Sequence, residues 1–274
     1  MKKVKLAFIC DMPKEHFLHW NDGLAAALRY LVKKYDWEVK IYNLPSMEAP
    51  EVSEDSDFHL FWGALDQKQH HHRFFKKQGL CFGGGPTYHQ NANNFDIIFA
   101  ESRVDLEELK KSGVKTMQAF GTNTKLFRPI PEQPKIWDFI YAAAFAKWKQ
   151  HDVFVQQIKD KKALAVGYMQ PGGWEKVCYE ICLKNGVMVM PWVPYSVMPW
   201  LYNASRACLI TADTTGGCQR QVLEAKACGI PVSIVSSSPK LEELADLTRK
   251  EILRDWSEKA YGEKLKKGIE EVLK

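Results

Sequence analysis

The sequence predicts an α/β protein of two successive domains, each built on a mostly parallel sheet. Apolar runs of about five to seven residues alternate with stretches of helical period, the rhythm of strand, helix and strand. That rhythm is interrupted at Pro129-Ile130-Pro131-Glu132-Gln133-Pro134, where helix cannot continue, and then restarts. The chain has 274 residues, 46% hydrophobic and 26% charged, which is enough for two moderate cores.

In the first half, Val4–Cys10, Glu38–Tyr42, Phe58–Trp62, Leu80–Phe82 and Ile97–Ala100 are expected strands. Leu24–Lys34, Gln67–Lys77 and Val104–Lys111 are expected helices, with Asp22 a natural N-cap for the first. The proline-rich stretch reads as an inter-domain hinge. After it come strands at Asp138–Ala142, Ala163–Gly167, Val187–Met190, Ala207–Thr211 and Pro231–Val235. Helices are expected at Gln150–Lys159, Trp174–Lys184 and Gln219–Cys228. The final segment places Trp256, Ala260, Leu265, Ile269, Val272 and Leu273 on one face, so it should be an amphipathic helix with that face docked. The expected division is a Rossmann-like domain over 1–120, a second over 121–255, and the helix over 256–274.

Composition narrows the function. The N-terminal apolar run is only six residues long before Asp11, too short for a signal segment or a membrane span, and no other stretch spans a bilayer. The expected location is the cytoplasm. Seven scattered cysteines, mostly inside apolar segments, suit reduced buried thiols. A net charge of +5 with dispersed lysines, denser in the last twenty residues, fits anionic small molecules or an anionic membrane surface and not nucleic acid. Peripheral membrane contact through the basic last helix and a plain solvated face both remain open.

Ligands of parallel α/β sheets collect at the carboxyl ends of strands, where loops meet helix N-termini. Thr211-Ala212-Asp213-Thr214-Thr215-Gly216-Gly217-Cys218-Gln219 joins a strand to a helix through two glycines, which let backbone approach an anion. A tight turn requiring positive φ explains the same glycines. Glu224, eight residues after Gly216, could accept the hydroxyls of a ribose or simply face solvent. Lys147 and Lys149 stand at another helix entrance and could neutralise a diphosphate or simply face solvent. In the first half, Gly83-Gly84-Gly85-Pro86-Thr87-Tyr88-His89 follows a strand. Gly84 and Gly85 would admit a donor sugar or acceptor, or form a structural turn, and His89 is a pocket or surface histidine. Asn21 and Asp22 could meet an acceptor hydroxyl.

His70-His71-His72 cannot close on one metal ion, since adjacent helical residues diverge by about 100°. Cys178 and Cys182 share a helix face without partners to complete a site, so no metal is expected.

These segments together resemble the retaining glycosyltransferases of the group 1 type. Leu223-Glu224-Ala225-Lys226-Ala227-Cys228-Gly229-Ile230-Pro231-Val232 is similar to the family's Leu-Glu-Ala-x-Ala-x-Gly-x-Pro-Val segment. Phe120-Gly121-Thr122-Asn123-Thr124-Lys125-Leu126-Phe127-Arg128-Pro129 looks like its domain crossover. Tyr141–Asp152 stands at its Gly-Arg-Phe-x-x-x-Lys turn, and Pro199–Ser205 resembles the short helix before the donor loop. The likeness covers the second half well and the first half only by architecture. It implies the GT-B fold, with two Rossmann-like domains facing a central cleft and the C-terminal helix packing back toward the first domain.

The resemblance further implies sugar transfer from a nucleotide diphosphate sugar, with retention and without a metal or other cofactor, to a carbohydrate, lipid or protein acceptor. Glu224 would hold the ribose, Lys149 the diphosphate with Lys147, and the backbone at Gly216 and Gly217 the phosphate or sugar. The base would sit near Val166-Gly167 and the Pro191-Trp192-Val193-Pro194-Tyr195 loop, with Tyr195 lining it, and His89 matches a pocket histidine in position. Two residues depart from the pattern: Ala144 stands where the family has a diphosphate-binding arginine, and Gly216 where it has a glutamate. An attenuated nucleotide-sugar-binding protein and a nucleotide-sugar epimerase are the competing readings.

Overall fold

Strand pairing divides the chain into two parallel sheets, one of six strands and one of five. The computed structural model describes residues 3–10, 22–43, 55–67, 70–85, 87, 89–169, 172–213, 217 and 219–274. Two compact units result, Met1–Gly121 with Asp255–Lys274, and Thr122–Arg254.

The first unit runs β1 (Lys5–Cys10), α1 (Gly23–Tyr35), β2 (Glu38–Asn43), β3 (Phe58–Gly63), β4 (Gln78–Phe82), α2 (His89–Ala92), β5 (Ile97–Ala100), α3 (Arg103–Lys110) and β6 (Thr116–Gln118). Its sheet order is β2-β1-β3-β4-β5-β6. Side chains alternate between two cores. Leu6, Phe8, Phe58, Leu60, Ile97 and Phe99 face α1, and Ala7, Ile9, Phe61, Leu80, Phe82 and Ile98 face the side covered by Leu109 of α3. Burial on both faces is why these strands read as unbroken apolar runs. Asp22 caps α1, accepting the Ala25 N–H at 2.9 Å.

The second unit runs β7 (Trp137–Ala142), α4 (His151–Ile158), β8 (Ala163–Val166), α5 (Glu175–Lys184), β9 (Met188–Met190), α6 (Met198–Asn203), β10 (Ser205–Ile210), α7 (Gln219–Ala227), β11 (Val232–Ile234), α8 (Glu242–Ala245) and α9 (Arg249–Asp255). The order β11-β10-β7-β8-β9 puts the first strand in the middle, with successive strands added on one side and then the other, a doubly wound sheet.

The last helix, α10 (Glu258–Leu273), packs in the first unit. Tyr261, Leu265 and Ile269 join the core with α1, so the apolar face of this helix is already covered. Its glycines allow the approach: a Cβ on Gly262 would lie 2.7 Å from the Tyr30 ring, and one on Gly268 2.6 Å from Phe99. Where the chain leaves the unit, a Cβ on Gly121 would lie 2.8 Å from the Trp256 carbonyl oxygen. On the rim of the α1–α10 contact, Glu263 accepts from Tyr30, Tyr35 and Lys34 at 2.5–2.8 Å.

Two expectations need correction, and one strand had no expectation. Gln67–Lys77 forms no α-helix among its described residues. Instead the chain is pinned in irregular form by Arg73 on both carboxylate oxygens of Asp96 at 2.7 and 2.8 Å, and by the Gln78 side chain accepting from the Phe74 and Phe75 amides. The proline-rich stretch is not a free hinge. It lies inside the second unit, where Asn203 accepts the Ile130 N–H at 2.8 Å and donates to the Arg128 carbonyl at 2.9 Å. Strand β6 has no signal in the sequence, because Thr116-Met117-Gln118 is a partly buried edge strand without an apolar run.

Burial opposes ionisation of Glu263, but the hydrogen bonds from Lys34, Tyr30 and Tyr35 outweigh it and bring the carboxyl down to about 2 from its ordinary 4.5. A depressed acid stabilises the fold above its unfolded pKa and loses that contribution as pH falls through the folded one. Its side chain is 41% exposed, so screening keeps the effect small. Glu263→Gln should cost under about 1 kcal/mol at pH 7, and in urea unfolding the gap to wild type should close between pH 4.5 and about 2.

Candidate functional site

In the second sheet the chain reverses direction of growth between β7 and β10, and the loops following these two strands meet at their carboxyl ends. The loop after β7 enters a 3₁₀ turn, Lys147–Lys149, and then Gln150 at φ 50° before α4. The loop after β10 leads through Asp213 and Gly217 to α7. Backbone and buried side chains stitch them together. The Asp213 amide donates to the Trp148 carbonyl at 2.9 Å. The Lys149 carbonyl accepts from Tyr141 at 2.6 Å and from Thr211 at 3.2 Å, and Thr211 also reaches the Gln150 carbonyl at 3.1 Å. With its backbone held there, Lys149 extends its ammonium to the carbonyl oxygen of Gly217. The two segments singled out in the sequence are thus in direct contact.

Lys147 is exposed, with its ammonium 4.8 Å from the centre of the Trp174 ring. His151, next in the chain after Gln150, is buried against Phe145 at a ring separation of 4.9 Å. Burial, helped by the Lys149 charge, brings this imidazole down to about 4, so it is neutral at pH 7. Gly217 does not adopt a left-handed φ, and a Cβ there would meet the Gln219 side chain. Gly216 lies outside the described residues. Gly167, at the end of β8, is required by contact: a Cβ would fall 1.8 Å from the Ala143 carbonyl oxygen.

Glu224 is not a solvated helix residue. It is 3% exposed within α7, where Tyr195 donates to one carboxylate oxygen and Tyr202 to the other at 3.1 Å. Burial, and then the charge of Glu224, push the Tyr202 phenol far up, which keeps it a neutral donor. Tyr195 opens a 3₁₀ turn, Tyr195–Val197, and packs edge-on against Phe127 at 5.4 Å. Its ring is packed away at 6% exposure, not presented as an open stacking face. The pairing of Tyr202 with Glu224 had no local signal in the sequence, because the partners lie 22 residues apart on different helices.

In the first unit, Gly84 and Gly85 have φ of 91° and 95°, so the backbone turn itself demands glycine. His89 begins α2, with Nε2 3.4 Å from Glu108 of α3. Asp22 is occupied as the α1 cap, and Asn21 lies outside the described residues. The loops carrying Asp22 and the Gly84-Gly85 turn follow β1 and β4, so both leave the carboxyl edge of that sheet. The histidine run disperses: His70 is buried with Nδ1 2.6 Å from the Ala64 carbonyl, His71 lies against the Asp66 carbonyl, and His72 against Phe74. Among the described residues no cluster of three His, Cys, Asp or Glu side chains is arranged to hold a metal, and no helix is long and apolar enough to cross a membrane.

No protein-family model matches the sequence, and no curated protein matches it. Solved structures do resemble it over nearly its whole length. AviGT4, a glycosyltransferase involved in avilamycin A biosynthesis, is 13% identical with a TM-score of 0.70, and each chain is covered to 98%. HepE from Anabaena, solved with UDP and glucose, is 12% identical with a TM-score of 0.67 over 97% of this chain and 99% of its own. A putative UDP-N-acetylglucosamine 2-epimerase from Listeria monocytogenes is 13% identical with a TM-score of 0.55 over 96% and 91%. At such identities the likeness is one of fold, and the fold is GT-B.

The contact at Gly167 is testable. Gly167→Ala must displace the Ala143 backbone beneath the Lys149 turn, and should cost about 1–3 kcal/mol in urea unfolding. Wild-type stability in that variant would mean that the segments following β7 and β8 do not approach as closely as described.

Proposed function

We propose that the chain is a glycosyltransferase that moves a sugar, with retention of configuration, from a nucleotide diphosphate sugar to an acceptor hydroxyl. The observation that supports this best is the meeting of the Lys149 ammonium with the Gly217 loop at the switch point of the second sheet. A cation held beside the Gly217 backbone, at the start of the helix that carries Glu224, suits a diphosphate and a ribose on adjacent groups. On this reading Lys149 turns from the Gly217 carbonyl to the bridging and terminal phosphate oxygens and stabilises the charge that develops as the glycosidic bond breaks. Lys147 adds a second cation, Gly216 and Gly217 offer backbone N–H groups, and Glu224 accepts the ribose hydroxyls. No metal is required, because the lysines supply the positive charge. His89, Gly84, Gly85, Asn21 and Asp22 are assigned to the sugar and acceptor side.

Two competing readings each have a specific support. Ala144 and Gly216 remove an arginine and a glutamate from the family pattern, which favours a protein that binds nucleotide sugars with little turnover. The fold is shared with a putative epimerase, which would convert the sugar without any acceptor. Calorimetry with UDP, GDP, ADP, dTDP and CMP identifies the nucleotide. UDP comes first, because HepE was solved with it. Transfer that depends on an acceptor supports the proposal, conversion without one the epimerase, and binding alone the attenuated protein. Failure of every nucleotide to bind would overturn all three.

Glu224→Gln, chosen to keep the side-chain volume, should weaken nucleotide binding by about 1–3 kcal/mol; unchanged affinity would discard the ribose assignment. Lys149→Ala should slow transfer at saturating donor by about a hundredfold, with EDTA leaving the wild-type rate unaltered. An unchanged rate in the lysine variant would remove Lys149 from the mechanism.

A further inference from the structure

We propose that Tyr195 is a latch on the ribose subsite: without nucleotide its phenol occupies the Glu224 oxygen that a ribose hydroxyl takes when nucleotide binds. The inference rests on the reading of Glu224 as the ribose acceptor and adds a residue and a conformational step to it.

Glu224 is 3% exposed with Tyr195 in place, so a ligand can reach its carboxylate only if something yields. The two phenols that donate to it differ in their ability to do so. Tyr202 sits within α6, is fully buried, and shares that helix with Leu201 and Asn203, which are also buried. Tyr195 sits at the start of a 3₁₀ turn on the loop that follows β9, at the carboxyl edge of the sheet. It is the only buried residue between Pro191 and Val197; Pro191, Trp192, Ser196 and Val197 are exposed, with Trp192 at 52%. Tyr195 therefore anchors a surface loop, whereas Tyr202 belongs to the interior.

The exchange is balanced in hydrogen bonds. A buried carboxylate needs its donors in every state. The Tyr195 hydroxyl serves one oxygen before binding, and a ribose hydroxyl serves it afterwards, while Tyr202 holds the other oxygen throughout. The nucleotide must displace an internal competitor, which lowers its apparent affinity by the fraction of molecules that are latched. Release of Tyr195 also frees the loop carrying Trp192, so occupancy of the ribose subsite is linked to the conformation of the edge beside it.

The test compares wild type with Tyr195→Phe, which keeps the ring on Phe127 and removes only the competing hydroxyl. Each is titrated with UDP and with 2′,3′-dideoxyuridine diphosphate, or with the equivalent pair for the panel nucleotide that binds. The variant should bind UDP about five- to tenfold more tightly than wild type, the scale of one net hydrogen bond. Both proteins should bind the dideoxy compound alike. A merely structural tyrosine would give weaker or equal UDP binding in the variant, and that result overturns the latch. A second measurement needs no variant: in wild type the Val197 amide, bonded to the Pro194 carbonyl at 2.8 Å, should exchange faster with UDP bound and not with the dideoxy compound. Unaltered protection overturns the latch as well. Wild type and variant that both fail to distinguish the two nucleotides, or that bind none, remove the ribose role of Glu224 and the latch with it. Wild type that distinguishes them while the variant gains nothing removes the latch alone.

Discussion

A carboxylate buried to 3% exposure has to be met by donors from the fold, and much of the second unit is arranged around that requirement at Glu224. The need is met from two separate elements, α6 through Tyr202 and the loop after β9 through Tyr195. Phe127, just after the crossover from the first unit, packs against both tyrosine rings at 5.9 and 5.4 Å. Asn203, next to Tyr202, binds the backbone at Arg128 and Ile130. One buried charge thus ties α7, α6, the crossover segment and the edge of the sheet into a single arrangement. An apolar residue at 224 would remove the reason for both phenols, so the charge is costly to keep unless a ligand uses it.

The fold was legible because both sheets are parallel and the first is covered on two faces, which leaves uninterrupted apolar strands such as Leu6–Cys10 and Ile97–Ala100. The caps were local as well: Asp22 does at α1 what its side chain can do at any helix start. Errors arose where long-range partners decided the outcome. Nothing within Gln67–Lys77 announces that Arg73 will pair with Asp96 or that His70 will sit between Phe61 and Phe95. The same distinction runs through the candidate site. Lys149 and Glu224 could be picked out because each lies in a short motif. Tyr141, Thr211 and Tyr202 also lie in motif segments, but they act across 8, 62 and 22 residues, and nothing local in those segments names the partner each one holds.

The glycines divide in the same way. At Gly84 and Gly85 the requirement is conformational, and a sequence reader can guess it from a Gly-Gly turn after a strand. At Gly121, Gly167, Gly262 and Gly268 the requirement is space, imposed by a neighbour distant in the chain or on another element. The last two let α10 settle on Tyr30 and Phe99, with Glu263 closing the rim by hydrogen bonds. That docking covers the apolar face of the helix, as its sequence period leads one to expect. Part of the basic surface is engaged within the unit: Lys266 lies over the Tyr35 ring at 4.7 Å and reaches Glu270 at 2.7 Å.

Ala144 is 8% exposed and sits under the turn that carries Lys149, in a space bounded by the end of β8, where the Ala143 carbonyl already excludes a side chain at 167. A guanidinium fork fixes a phosphate by its own geometry, but an ammonium does not. Its direction must therefore come from what holds its chain, and here that is the double acceptance by the Lys149 carbonyl from Tyr141 and Thr211. The stitched turn gives a lysine part of the orientation that an arginine would bring unaided. Its ammonium remains bonded to a neutral carbonyl, a partner that a phosphate oxygen readily replaces.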